Sequence, residues 1–212
     1  MPRVVDHAER RTKFIVASWG VIANEGLNAA TLRRVAAAAG VTTGALTHYF
    51  TDREALLVEA LRAAHFAAGA RMLRAAGKLD DDRKRLLAVL EEALPLDNRR
   101  LQEWRVWLAF WGEAVGSLAL SEENQRRIEE WRDFAETLVL PLVPPGQSTA
   151  VVAMSLVALV DGLGVRLALA PAATLASERR DARASIARAV ASLGAETTAE
   201  RKATQNQGGK GV

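Results

Sequence analysis

The chain has 212 residues, carries a net charge of +3 from 28 basic and 25 acidic side chains, and contains no cysteine. The lack of cysteine excludes disulfides, thiolate catalysis and cysteine-ligated metal sites. Half of the residues are apolar, with Ala and Leu dominant, which favours an all-helical fold. The charge is too balanced to demand a polyanionic partner by itself. The polar segment MPRVVDHAERR does not have the pattern of a signal peptide, so we expect a cytoplasmic protein.

Helical periodicity predicts three helices near the N-terminus and a longer fourth one. The predicted ranges are 7–25, 31–39, 44–50 and 53–76. Gly26 ends the first helix and Gly40 the second, since glycine commonly follows the last helical turn. Thr31 is the predicted N-cap of the second helix, and Thr42 or Thr43 that of the third.

Five further helices are expected in the rest of the chain, which brings the total to about nine. The predicted ranges are 82–94, 96–118, 121–141, 148–170 and 175–193, with Ser121 as the cap of the third of these. Residues 196–212 have no apolar period, which is typical of a disordered tail.

Residues 150–170 are apolar enough to raise the question of a membrane span. The segment contains Asp161 and Arg166, each of which costs roughly 2.5–3.5 kcal/mol at the centre of a bilayer. We therefore expect a helix buried on nearly all sides by protein, and no membrane partner.

The segment Thr31–Phe50, TLRRVAAAAGVTTGALTHYF, consists of two short helices joined at Gly40. The second helix, of about seven residues, is well below the ~12–15 residues at which an isolated helix becomes marginal. It must therefore be held by packing of Val41, Leu46 and Phe50. Its other side carries small and polar groups that can approach base edges or phosphates.

The register of residues 8–58 resembles the N-terminal domain of TetR-type transcriptional regulators. The matching segments are Thr31–Ala36, Ala39–Val41, Tyr49–Phe50 and Arg53–Leu57. The sequence Thr47–Phe50, THYF, is similar to the Ser-His-Tyr-Phe of the BetI-like branch, and the stretches EWRVWLAFWGEA and VALVDGLG are similar to the C-terminal domain of that branch.

The resemblance implies a three-helix helix-turn-helix DNA-binding domain over 1–52, a helical ligand-binding and dimerisation domain over 53–195, and the tail at 196–212. The residues expected near bases or adjacent backbone are Thr42, Thr43, Gly44, Ala45 and His48. Those expected at phosphates are Thr31, Thr47, Tyr49 and Arg53. Arg33 and Arg34 on the second helix are further candidates for contact with the DNA backbone, with a solvated face as the alternative. Most of the family has Tyr where this chain has Thr47 and often Lys in place of Arg53; the shorter Thr47 shifts the phosphate contacts toward Thr31, Tyr49 and Arg53.

An aromatic cluster in the C-terminal half is a candidate ligand pocket, with core packing as the alternative. The candidate lining residues are Trp104, Trp107, Phe110, Trp111, Trp131, Phe134 and Asp161. If an acid such as Asp161 is buried there, a cationic or hydrogen-bond-donating ligand is expected. The effector's identity stays open.

The last two helices are the expected seam of a homodimer, with an intramolecular core as the alternative. The seam residues are predicted to be Ala153, Val157, Val160, Gly164, Ala187 and Val190, and the small residues Ala153, Ala158, Gly162 and Gly164 are expected to permit close helix contact. A dimer is expected because two recognition helices must reach major grooves about 34–36 Å apart, or a multiple of this. The fourth helix is then the expected lever by which a ligand changes their spacing.

The sequence therefore predicts a regulator of transcription, and specifically a repressor that a small molecule releases from double-stranded operator DNA. No enzyme is expected, and no cofactor or metal, since His7, His48 and His65 share no ligand spacing and no nucleophile elbow or phosphate loop is present. The alternative is a helical ligand-binding or scaffold protein without DNA binding.

Overall fold

The computed structural model of the protein describes residues 7–194. Over this range the chain forms nine α-helices and a 3-10 turn at Leu27–Ala29, without β-strands, as the sequence predicts. The helices are α1 (His7–Glu25), α2 (Leu32–Ala39), α3 (Thr43–Thr47), α4 (Arg53–Ala76), α5 (Asp82–Ala93), α6 (Asn98–Ala114), α7 (Leu118–Val139), α8 (Thr149–Leu169) and α9 (Leu175–Ser192). The tail predicted at 196–212 lies outside the described residues.

The chain divides into two compact units, and the first consists, within the described range, of residues 7–69 and 97–128. Its core is one apolar cluster to which α1, α2, α3, α4 and α6 all contribute; Phe14, Leu46, Leu57 and Phe110 are among its fully or almost fully buried members. Helix α6 contacts α1 directly. The unit therefore extends beyond the functional boundary predicted at residues 52 and 53, because α6 shares a core with the first three helices.

The second unit consists, within the same range, of residues 70–96 and 129–194. Helix α9 contacts both α5 and α8. Its buried face repeats every four residues, at Ala182, Ile186 and Val190, which is the spacing expected of one face of a helix. The unit is thus a small helical layer with α9 between its two neighbours.

Helix α8 differs from its prediction, because it is not buried on nearly all sides. It is the one helix in 7–194 long and apolar enough to cross a membrane by length and composition, with a mean hydropathy of 1.9, and 33% of that window is buried inside the chain. Val151, Met154 and Leu169 are 54%, 50% and 73% exposed. An apolar face of α8 is therefore open in the single chain.

The predicted seam positions lie mostly on the opposite face. Ala153, Val157, Val160 and Gly164 of α8 and Val190 of α9 are buried inside the chain, and Ala187 is half-buried. For these buried side chains the intramolecular alternative is correct. The period of an apolar helix does not say which of its two apolar faces the chain itself covers.

Two helix starts differ from the sequence prediction because other residues supply the caps. Helix α6 begins after Asp97, whose carboxylate accepts a hydrogen bond from the backbone N–H of Arg100 at 2.8 Å. Helix α7 begins at Leu118, after Ser117, whose Oγ accepts from the N–H of Leu120 at 3.3 Å. Ser121, the predicted cap, lies inside α7.

Candidate nucleic-acid interface

The turn between α2 and α3 is closed by backbone hydrogen bonds around Gly40. Gly40 has φ +70°, a left-handed conformation that side chains disfavour, and its N–H bonds to the carbonyl of Ala37 at 3.1 Å. The N–H of Val41 reaches the carbonyl of Ala36 at 3.0 Å. These two bonds form a Schellman motif, which ends α2 and fixes the direction in which the chain leaves it.

Helix α3 is only five residues long and is held by tertiary packing, as its length requires. Thr42 is its N-cap: the hydroxyl accepts a hydrogen bond from the N–H of Ala45 at 3.2 Å. Leu46 has no exposed surface and Phe50 is 2% exposed, so both anchor the helix in the core of the first unit. The side of α3 opposite to Leu46 is thereby left outside.

That outer side carries the residues predicted to meet bases. Thr42, Thr43, Gly44 and His48 are exposed, and Ala45 is half-buried. A Cβ placed on Gly44 would have the Thr42 hydroxyl at 4.0 Å as its nearest neighbour. The fold alone therefore does not require glycine at this position.

The residues predicted to meet phosphates surround this face, and several already have a structural role. Thr31 is exposed and caps α2 by accepting from the N–H of Arg34 at 3.1 Å. The exposed Thr47 hydroxyl donates to the carbonyl of Gly44 at 3.0 Å. The Tyr49 ring is half-buried, in edge contact with Phe14 at 5.1 Å between centroids.

The two arginines of α2 differ in whether they form an ion pair within the protein. Arg34 donates two hydrogen bonds to Glu25, Nε to Oε2 at 2.9 Å and Nη2 to Oε1 at 2.5 Å. The hydrogen bonds from Arg34 hold the pKa of the Glu25 carboxyl below its ordinary value. Arg33 is exposed and makes no ion pair with any residue in 7–194. Arg33 is therefore the arginine of α2 that is free to reach a ligand.

Arg53 is turned into the protein at the start of α4. Its Nη2 donates to the backbone carbonyl of Leu27 at 2.9 Å, and its Nη1 donates to Oε1 of Glu113 at 3.2 Å. The side chain keeps about a third of its surface exposed. In this arrangement Arg53 ties α4 to the 3-10 turn and to α6, in addition to the phosphate role predicted for it.

Arg11 belongs to the same region, although no sequence motif predicts a role for it. Its Nη1 donates to the backbone carbonyl of Tyr49 at 3.2 Å, directly after α3. Its guanidinium carbon lies 4.9 Å from the centroid of the Phe50 ring. The partners are 38 and 39 positions away, and no local spacing rule could have indicated them.

The aromatic residues predicted to line a pocket fall into both compact units. In the first, the rings of Trp104 and Trp111 meet edge to face at 5.9 Å, and Trp107 meets His65 at 6.2 Å. Phe110 has no exposed surface and belongs to the core cluster. In the second unit, Trp131 and Phe134 are 6.1 Å apart.

Asp161 of α8, in the second unit, is half-buried in an apolar helix. Burial raises the pKa of its carboxyl to about 6. No ion-pair partner for it lies among residues 7–194, where no cluster of three or more potential metal ligands occurs either. Asp161 is thus an acidic group that the described part of the fold does not neutralise.

A short helix that exposes a polar face, preceded by a capped helix and a tight glycine turn, is the arrangement of helix-turn-helix DNA-binding proteins. Comparison with known proteins extends this class to a family. Residues 14–60 match the family model of bacterial regulatory proteins of the tetR family, and residues 82–195 match that of the BetI-type transcriptional repressor, C-terminal. The chain belongs to the TetR family of transcriptional regulators and carries a BetI-type C-terminal region.

Individual relatives agree with this assignment. The transcriptional regulator BetI of Burkholderia thailandensis is 34% identical over 180 residues, which cover 80% of this chain and 87% of the relative. A transcriptional regulator from Rhodococcus has a crystal structure with a TM-score of 0.77 and 27% identity, covering 86% of this chain and 95% of the other. A third protein, from Saccharomonospora viridis, was solved in complex with choline, with a TM-score of 0.72, 24% identity, and coverage of 82% and 94%. These relatives are regulators, not enzymes.

Proposed function

We propose that α3 is the recognition helix of a repressor that binds operator DNA in the major groove. The observation that carries this proposal is the division of α3 into two sides: Leu46 is fully buried, whereas Thr43, Gly44 and His48 are exposed. A helix anchored on one side and polar on the other can enter a groove without losing its packing. The open space at Gly44 would let the backbone approach the base edges closely.

The residues around α3 would position the protein on the phosphate backbone. Arg33 is the best candidate for a direct charge contact, since it is exposed and not paired within the described chain. Thr31, Thr47 and Tyr49 would contribute hydroxyl groups. Arg53 would have to loosen its bond to Glu113 to reach a phosphate, so its contribution there is smaller than its charge suggests.

The active species would be a homodimer whose two recognition helices reach grooves separated by about 34–36 Å or a multiple of it. The exposed apolar face of α8 supports this, because Val151, Met154 and Leu169 lie on it together with the small exposed residues Ala158 and Gly162. Small residues let two helices approach closely. This face would replace the positions that the sequence favoured, most of which the chain buries internally.

The effector would be a small organic cation that lowers affinity for DNA. Asp161 supports this class, because a half-buried carboxylate without a partner in the described chain is stabilised by a cationic ligand. The complex of one structural neighbour with choline, a quaternary ammonium compound, points to the same class. Trp131 and Phe134 offer aromatic faces of the kind that bind such cations.

Two experiments test these proposals. A gel shift with the DNA upstream of the coding sequence should give a salt-sensitive complex that specific competitor removes before unrelated DNA does. A complex without sequence preference would contradict the proposed repressor.

Calorimetric titration with choline should give binding that its uncharged carbon isostere does not give and that Asp161→Asn weakens. Equal binding of both compounds would contradict a cationic effector. As a DNA-binding regulator of transcription, the protein would act in the cytoplasm.

A further inference from the structure

Arg11 holds the chain at the exit of the recognition helix. Its Nη1 donates to the carbonyl of Tyr49, which lies two residues past the last residue of α3, and its guanidinium lies over the Phe50 ring. Carbonyl groups at a helix C-terminus lack partners within the helix, and a positive charge there is favourable. Arg11 therefore supplies, from another helix, a donor and a positive charge just past the end of α3.

The two ends of α3 are fixed by different means. The N-terminal end is set by the glycine turn and by the Thr42 cap. At the C-terminal end the N–H groups of Tyr49 and Phe50 both turn back to the carbonyl of Leu46, at 2.9 and 3.2 Å. The carbonyl of Tyr49 is the one that Arg11 binds. Arg11 thus adds a side-chain contact from α1 to the backbone bonds and the burial of Leu46 and Phe50 that hold this end of the helix.

Arg11 is itself held from α4. Its Nη2 lies 3.5 Å from Oε2 of Glu59, and Oε1 of Glu59 accepts a hydrogen bond from Nη1 of Arg62 at 3.2 Å. Arg62 in turn donates to both oxygens of Glu123 in α7. Arg11 thus ends a series of alternating charges that reaches a fully buried carboxylate, and this restricts where its guanidinium can lie.

We propose that Arg11 is a positioning residue for the recognition helix, that Glu59 is its anchor, and that the pair sets operator affinity without touching DNA. This rests on the proposed role of α3. Two other roles have to be separated from it by experiment: direct contact of Arg11 with a phosphate, and a solvated arginine without consequence.

Glu59 distinguishes these roles, because it is an acid. If charge alone mattered, Glu59→Gln would tighten DNA binding, since it removes a negative charge from a DNA-binding unit. Positioning predicts that Glu59→Gln and Arg11→Ala both weaken operator binding, each by about tenfold, as for the loss of one charge-assisted hydrogen bond. Arg11→Lys should recover only part of the loss, because an ammonium cannot span both partners in the planar geometry of guanidinium.

Matched controls are available on α1. Arg10→Ala removes the same charge one residue away, and Glu9→Gln removes an exposed acid of the same helix that has no ion pair in 7–194. Glu9→Gln should leave affinity unchanged or raise it. The dependence of the binding constant on salt should keep its slope in Arg11→Ala, whereas loss of a phosphate contact lowers the slope by about one.

Hydrogen exchange of the full chain without DNA provides a readout that is independent of operator binding. Amides of residues 43–50 should exchange faster in Arg11→Ala and Glu59→Gln than in the wild type, and at the wild-type rate in the two controls. Unchanged exchange in both variants would overturn the proposal, as would tighter DNA binding by Glu59→Gln or a loss of slope in Arg11→Ala. If the wild type binds no DNA while hydrogen exchange changes in both variants as expected, the proposed repressor function fails, but the role of Arg11 in holding α3 stands.

Discussion

The guanidinium of Arg62 binds the carboxylate of Glu123 through two hydrogen bonds, Nε to Oε1 at 3.2 Å and Nη2 to Oε2 at 2.9 Å, and the Glu123 side chain has no exposed surface. Arg127 and Arg126 also face this carboxylate, at 3.0 and 3.3 Å. The hydrogen bond from Arg62 is the main cause that lowers the pKa of Glu123 below 4.5. The buried acid is therefore charged, and three arginines compensate it.

Glu123→Gln should destabilise the protein more than Arg62→Met does. The first change removes the carboxylate that faces Arg126 and the buried Arg127 and leaves Arg62 with Glu59, and we expect a loss of about 3–5 kcal/mol in the free energy of unfolding. The second leaves Arg126 and Arg127 facing Glu123 and should cost less. Urea unfolding at pH 7 measures both variants.

The pH dependence gives a second check on the same group. Since the folded-state pKa of Glu123 is below the unfolded value, its stabilisation is present above about pH 4.5 and is lost as the pH falls through the folded-state pKa. The difference between wild type and Glu123→Gln should therefore shrink in acid. A difference that does not depend on pH would mean that Glu123 contributes by shape and not by charge.

Gly44→Ala should separate folding from DNA binding. Alanine is favoured over glycine inside a helix by ~1 kcal/mol, and the added Cβ meets nothing closer than the Thr42 hydroxyl at 4.0 Å. Thermal stability should therefore stay equal or rise, whereas operator affinity should fall at least about tenfold if the backbone approaches bases there. Gly112→Ala, in open space on α6, is the matched control and should leave affinity unchanged. Wild-type operator affinity in Gly44→Ala would show that position 44 does not approach the DNA closely.

The bounds of α1, α2 and α4 could be predicted closely, because their signals are local. The range His7–Glu25, the Thr31 cap and the Gly40 turn depend on residues no more than four or five positions apart. The hydrogen bond from Arg11 to the carbonyl of Tyr49 joins residues 38 positions apart, and no local pattern encodes it. The helices that form the candidate site could thus be predicted from sequence, but the long-range contacts that hold them could not.

Helix α8 shows a different limit of prediction from sequence. Its residues are apolar around most of the circumference, so the sequence predicts burial without saying which face the chain covers. The packing of the chain decides this: α9 contacts α8, and Ala153, Val157 and Val160 are buried while Val151 and Met154 stay open. The helix is thus predicted from its sequence, whereas most of the expected seam positions lie on the side that the chain itself covers.

Met154→Arg should weaken self-association if the open face of α8 is the dimer seam. A charge placed in an apolar interface has to be desolvated, and we expect the dimer dissociation constant to rise by at least about tenfold. Sedimentation velocity across protein concentrations measures this. Leu140→Arg is the matched control, since Leu140 is another exposed apolar residue, one position past the end of α7. A wild-type monomer, or equal dissociation constants in both variants, would contradict the assigned seam.

Asp161→Asn should stabilise the ligand-free protein near neutral pH. The pKa of Asp161 is raised from 3.8 to about 6 by burial, so the folded state holds its proton more tightly than the unfolded state does. Between about pH 4 and 6 the folded chain therefore binds more protons, and stability falls as the pH rises through this range. Asparagine imitates the protonated carboxyl and avoids the loss, which is at most ~3 kcal/mol for a pKa rise of this size. In urea unfolding the variant should be more stable than the wild type at pH 7.5, with a smaller advantage at pH 5.

The exposed Asp133→Asn is the control for Asp161→Asn and should match the wild type at both pH values. A variant at position 161 that is less stable at pH 7.5 would show that the carboxylate has a stabilising partner in the fold. The same comparison tests the effector class, because a cation that pairs with the buried carboxylate removes the cost of its burial. Saturating choline should therefore raise the melting temperature of the wild type more than that of Asp161→Asn. An equal rise in both proteins would show that Asp161 takes no part in ligand binding.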